Sequence, residues 1–184
     1  MTGVATAASR PARILVAGIG YPFLHDWSVG TRVAAELMQR QWPPGVEVDD
    51  WSFGPIDAVF KLRAADPPYG RIVFFGCVNR DRPPGTVLRR QWEHADMPSD
   101  VELQERIGES LSGVISLDNV VFICSGFKAL PEDVVLLEVE PLEEAWGDGY
   151  SPAVAAAVPE LIRLIEVEVG LAQHAGSVSA RGVA

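Results

Sequence analysis

The 184-residue chain is poor in cysteine, histidine and basic residues, and it has no long apolar run. Its two cysteines, Cys77 and Cys124, lie in apolar segments and form no CxxC pair, which argues against a redox or zinc motif. Buried thiols and a single disulfide both stay open. No stretch approaches the roughly 18 apolar residues that a bilayer crossing needs, and residues 1–12 lack the apolar centre of a signal peptide. A cytoplasmic location without membrane contact is the expectation. Fifteen Lys and Arg against 25 Asp and Glu leave a formal charge of -10, which repels nucleic-acid phosphates and anionic lipid. A protein partner is easier to accommodate than a nucleic acid.

What is present suits one folded domain. Hydrophobic residues make up 48% of the chain, enough for a core of ordinary size without disulfide support. The expected division is a flexible N-terminus over 1–12, one domain over 13–169 and a flexible tail over 170–184. Residues 14–20 form a continuous apolar run ending in glycines, as a buried parallel strand does. Val29, Val33 and Leu37 then mark one helix face. Further strands are expected at 46–50 and 72–78, with a short helix over 56–65 between them, and residues 86–88 suit an edge strand. Ser99 and Glu102 have capping-box spacing, so a helix starts near Asp100. Residues 120–124 fit either a strand or a helix. Residues 134–139 read as an internal strand, and Ser151-Pro152 opens a last helix that Pro159 should bend or divide. Strands alternating with helices point to an α/β sandwich on a mostly parallel sheet.

Gly18-Ile19-Gly20 after a buried strand invites a dinucleotide reading, with Asp50 near a ribose hydroxyl. Phe23 stands where the third glycine of GxGxxG belongs, and His25-Asp26-Trp27 places a carboxylate and an indole where phosphate donors should be free. Tight-turn glycines are the stronger reading, and a dinucleotide-binding module is kept as an alternative.

Several segments together resemble the hydrogenase maturation proteases, which clip a C-terminal extension from the large subunit of a nickel-iron hydrogenase. Ile14-Leu15-Val16-Ala17-Gly18-Ile19-Gly20 is similar to their opening strand, and His25-Asp26-Trp27-Ser28-Val29-Gly30 to the acidic loop entering their first helix. Asp50-Trp51-Ser52-Phe53-Gly54 stands at their DGG-type turn, and Pro84-Gly85-Thr86 matches a recurring PGT. Residues 130–141 resemble a late strand, and Gly149-Tyr150-Ser151-Pro152-Ala153-Val154 the start of the last helix. The resemblance spans about residues 13–168. It implies a three-layer α/β sandwich of the phosphorylase/hydrolase-like kind.

It also implies a defect. Family members recognise nickel in the immature hydrogenase through an acidic residue of the first loop, an aspartate ending the third strand and a later histidine. By position these become Trp27, since Asp26 matches the preceding non-ligand acid, then Gly76, and finally Gly113 counted back from Leu130-Pro131 or Arg106 counted forward from Pro84-Gly85-Thr86. None of these side chains can ligate a metal, because indole and glycine offer no donor and arginine stays protonated. The resemblance thus implies a degenerate, noncatalytic member without cofactor, an accessory or assembly factor binding a hydrogenase subunit or another maturation protein.

Two other uses of the residues compete with this. His25, Asp26 and Asp50 could form a displaced metal or acid-base site, giving an active endopeptidase that uses its substrate's nickel. Their bland roles are a cap from Asp26 on the first helix, a turn anchor from Asp50, and a solvent-facing His25. Cys77 with His94 imitates a nucleophile pair, although a buried structural thiol is favoured. Trp27, Trp51 and Phe53 either edge a partner-binding cleft or fill the space of a lost metal pocket. Arg80, Asp81 and Arg82 are expected on an exposed loop, and Glu138, Glu140, Glu143, Glu144 and Asp148 on a solvated rim or a docking site for a basic partner.

Overall fold

The computed structural model describes residues 13–93 and 99–171. The expected flexible segment at 1–12, most of the expected tail and His94 lie outside the described residues. Five strands form one sheet: β1 (Arg13–Ile19), β2 (Val46–Asp50), β3 (Tyr69–Cys77), β4 (Val87–Gln91) and β5 (Asp133–Val139). Their order is β2-β1-β3-β5-β4, with every pair parallel except β4, which runs antiparallel along the edge of β5.

Alternation along the central strands makes the two cores. Leu15, Ala17, Ile72, Phe74, Val134 and Leu136 face one side, together with helices α2 (Pro55–Ala64), α3 (Asp100–Leu111) and α4 (Leu117–Gly126). Val16, Val73, Phe75, Val135 and Leu137 face the other, under α1 (Val29–Leu37) and α5 (Pro152–Glu168). The result is the expected three-layer sandwich, and strands buried on both faces explain the unbroken apolar runs. The cysteines fall on opposite sides of the sheet, Cys77 under α1 and α5 and Cys124 in α4, and both are free thiols.

The ambiguous segment 120–124 is helical. Ser116 accepts a hydrogen bond from the Asn119 N–H at 3.1 Å and starts α4, while Val120, Val121, Ile123 and Cys124 are all buried. A helix enclosed on most sides loses its polar stripe, so its β-branched residues mimic a strand. The capping box of Ser99 and Glu102 forms as its spacing predicts. Pro159 does not divide α5, which runs continuously from Pro152 to Glu168. The residue is exposed, so the carbonyl it leaves without a partner can be met by water.

Gly18 and Gly30 fix the seat of α1. A Cβ on Gly18 would overlap the Gly30 carbonyl oxygen, and one on Gly30 would overlap the Ile19 backbone. These glycines serve a close strand-helix approach and need no nucleotide to explain them. No helix among the described residues is long and apolar enough to cross a membrane.

Candidate functional site

The parallel strands carry their loops at one end of the sheet, where ligands of open α/β folds gather. After β1 the chain enters the loop 20–24 and a 3-10 turn, His25–Ser28, before α1. Phe23 and His25 adopt positive φ, 63° and 38°, an uncommon backbone region for residues other than glycine. They are held there by a bridge to the β5–α5 loop: Gly147 N–H donates to the Phe23 carbonyl at 2.9 Å, and His25 N–H to the Gly147 carbonyl at 3.3 Å. Gly147 has φ 154°, and a Cβ there would displace the His25 ring.

Beneath this bridge Asp26 is fully buried. Its carboxylate accepts hydrogen bonds from Leu142 N–H at 2.9 Å, Glu143 N–H at 3.3 Å, Ser151 N–H at 2.7 Å and the Ser151 hydroxyl at 2.8 Å. Asp26 therefore does not cap the first helix, whose start has no side-chain cap, and its carboxylate is turned to the backbone of the later loop. It staples the β5–α5 loop to the first loop. Cys77 joins the staple, donating its thiol to the Asp26 carbonyl at 2.9 Å. Burial, with added repulsion from Asp26 and Glu140, pushes that thiol far above its ordinary range. The upward shift disfavours the thiolate, the form that acts as a nucleophile.

The other expected residues scatter. Asp50 accepts from Ser52 N–H at 3.0 Å and anchors the turn after β2, and Ser52 in turn accepts from Gly20 N–H at 3.0 Å. Among the described residues no three His, Cys, Asp or Glu side chains are grouped to hold a metal ion, so His25, Asp26 and Asp50 form no metal-holding group. Trp51 is fully buried against Phe53 and Phe74 at centroid distances of 5.5 and 6.1 Å, and Lys61 lies over both Trp51 and Phe53. Trp51 and Phe53 belong to the β2–α2 core and do not share a cleft with Trp27.

Trp27 instead lines a cavity of about 740 Å³ with Tyr21, Phe23, Leu24, Val114 and Trp146. Phe23 and Trp146 are 66% and 84% exposed, so two large aromatics stand open at its rim. The Tyr21 hydroxyl closes the far wall by accepting the Ile115 N–H and reaching the Gly113 carbonyl at 3.4 Å. Trp27 lies on one wall of this cavity and Val114, next to the turn at Gly113 with φ 94°, on another. Gly76, expected at the second ligand position, has no room for a side chain, because a Cβ there would overlap the Ile19 carbonyl oxygen.

Arg106, the other candidate for the third position, lies in a second cavity of about 750 Å³ with Arg80, Arg82, Arg90, Trp92 and Phe122. Sequence reasoning missed this cluster. Glu138 and Glu140, expected on a solvated rim, are buried, and Arg80 and Arg82, expected on an exposed loop, clamp them. Arg82 bonds Glu140 and Glu138 at 2.9 Å each, Arg80 reaches Glu138 at 3.2 Å and Asp118 at 2.7 Å, and Arg90 reaches Glu138 at 3.1 Å. Burial pushes the Glu138 carboxyl up, but the hydrogen bonds and charges of Arg80, Arg82 and Arg90 outweigh it and hold the group below its ordinary value. The available signal was the Arg80–Arg82 pair in sequence, although its partners lie nearly 60 residues away.

No family model matches the chain. None of the curated proteins matches it either. Solved structures do. The hydrogenase 2 maturation peptidase of a Thaumarchaeota archaeon superposes with a TM-score of 0.61 at 24% identity, over 87% of this chain and 99% of that one. The hydrogenase maturating endopeptidase HybD from E. coli gives 0.61 at 21% identity over 85% and 91%. The [NiFe] hydrogenase maturation protease HybD from Thermococcus kodakarensis gives 0.56 at 18% identity over 85% and 99%. The chain has the fold of these maturation proteases, as its motifs implied.

Proposed function

We propose that this protein is a noncatalytic relative of the hydrogenase maturation proteases, an accessory or assembly factor that binds the large subunit of a nickel-iron hydrogenase through the aromatic cavity at Trp27. The observation that carries the reading is the exchange made at the cleft. Where the resemblance puts a carboxylate there is an indole, and where it puts an aspartate there is a glycine whose missing Cβ is filled by the Ile19 carbonyl. A substrate's nickel would find there neither of the two carboxylates that the resemblance expects.

The same residues suit a docking surface. Buried Asp26 and the Gly147 bridge hold the two loops together and so fix Phe23 and Trp146 at the rim before any partner arrives. Preorganised aromatics lose little entropy on binding and commonly act as interface hot spots. Glu144 in the lining favours a partner segment that carries positive charge.

The test is direct binding of purified, unprocessed, nickel-loaded large subunit to the full chain. Replacing both exposed rim residues, Phe23→Ala with Trp146→Ala, should weaken binding about 30-fold or more, the loss expected of a hot-spot pair. Failure of the wild-type chain to bind either this subunit or the other maturation proteins of the same cell would reject the reading.

A further inference from the structure

The arginine-lined cavity lies on the face of the sheet covered by α3 and α4, and the aromatic-cavity reading leaves it without a role. In a chain of formal charge -10, four guanidiniums converge on it. Three carboxylates also reach it, and each is already engaged. Glu138 is held by Arg80, Arg82 and Arg90, Asp118 by Arg80, and Glu102 by the Ser99 backbone and hydroxyl of the capping box.

The guanidiniums are less fully used. Arg80, Arg82, Arg90 and Arg106 each direct two hydrogen bonds to protein side chains among the described residues. An arginine carries five N–H donors in a planar fork, so most of the donor capacity at the cavity is left over. Arg90 and Arg106 are further held in place over aromatic faces, 5.7 Å from the Trp92 centroid and 5.5 Å from that of Phe122. The two rings meet edge to face at 5.5 Å. Leu88 and Phe122 supply apolar wall beside the charged groups. Fixed forks of this kind match the oxygen spacing of carboxylates and phosphates.

We infer that this cavity binds a small molecule with an oxyanion head, carboxylate or phosphate, held by Arg80, Arg90 and Arg106, and an apolar body lying against Leu88 and Phe122. A cavity of about 750 Å³ is within the range of small-ligand sites. Arg82 stays with Glu138 and Glu140 and keeps the wall of the cavity in place. The inference is independent of the partner proposed for Trp27, and either can fail without the other.

Calorimetric titration of the full chain with phenyl phosphate and with benzoate tests it. Saturable one-to-one binding of either probe supports the site, and the tighter probe identifies the head group. Arg106→Gln removes one charge without unpairing buried Glu138, and should weaken binding about 5-fold or more, the loss of one charge-assisted contact. Arg90→Gln should act in the same direction. Arg163→Gln, on α5 across the sheet, should leave binding unchanged. Absence of saturable heat with both probes up to about 10 mM, an affinity too weak to matter, would overturn the inference. So would binding that Arg106→Gln and Arg90→Gln leave intact.

Discussion

Replacing Asp26 should damage the fold far more than any chemistry. Asp26→Ala withdraws a charged acceptor from four donors at once. Leu142 is exposed, so its N–H and that of Glu143 can turn to water when their loop loosens. Ser151 is buried, and its N–H and hydroxyl cannot. Two stranded buried donors cost about 1–3 kcal/mol each, and relief from burying a carboxylate offsets part of this, which leaves a loss of about 1–5 kcal/mol. For a chain of this length each kcal/mol lowers Tm by roughly 2–4 °C, so the drop should be roughly 2–20 °C. Asp26→Asn keeps the shape but turns an amide N–H₂ toward donors, and should fall between Asp26→Ala and wild type. Urea denaturation and calorimetry read both. If Asp26→Ala melts within about 2 °C of wild type with an unchanged urea slope, the staple is not what holds the loop and the argument fails.

Other consequences follow from particular contacts. Both cysteines should resist a thiol reagent in the native state and react once the chain is unfolded in urea, because each is buried. Reaction of one thiol in the folded protein would place it elsewhere. Burial pushes the Cys124 thiol up to about 12 from 9.0, so the unfolded thiol ionises first. Its contribution to stability should be complete below pH 9 and be lost as pH rises toward 12, a decline that Cys124→Ala should lack. Glu138 has a lowered value, so its ion pairs stabilise fully above the ordinary carboxylate range and lose their effect as pH falls through the folded value. The stability deficit of Glu138→Gln should accordingly be large at pH 7 and shrink in acid. Gly76→Asp should destabilise the protein and fail to create nickel affinity, because the new Cβ meets the Ile19 carbonyl. Tight nickel binding by that variant would show that the backbone can yield.

Much of the fold was readable because its signals are local. Unbroken apolar runs at β1, β3 and β5 belong to strands covered on both faces, and the Ser99–Glu102 spacing alone places the start of α3. The helix α4 was not readable, since enclosure between α2, α3 and the sheet removes the polar stripe that gives helical periodicity away. At the site, the roles of the charged residues could not be read. Asp26 finds its donors 116 to 125 residues later, and Glu138 takes its arginines from β4 and the loop before it. A carboxylate looks alike in sequence whether it is a ligand, a rim charge or a buried staple, and distant partners decide which.

The most direct test is the mass of nickel-loaded, unprocessed hydrogenase large subunit after incubation with the purified protein. The account predicts an unchanged mass, even where the two proteins co-elute as a complex. Release of a defined C-terminal fragment, absent when the protein is omitted, would contradict it.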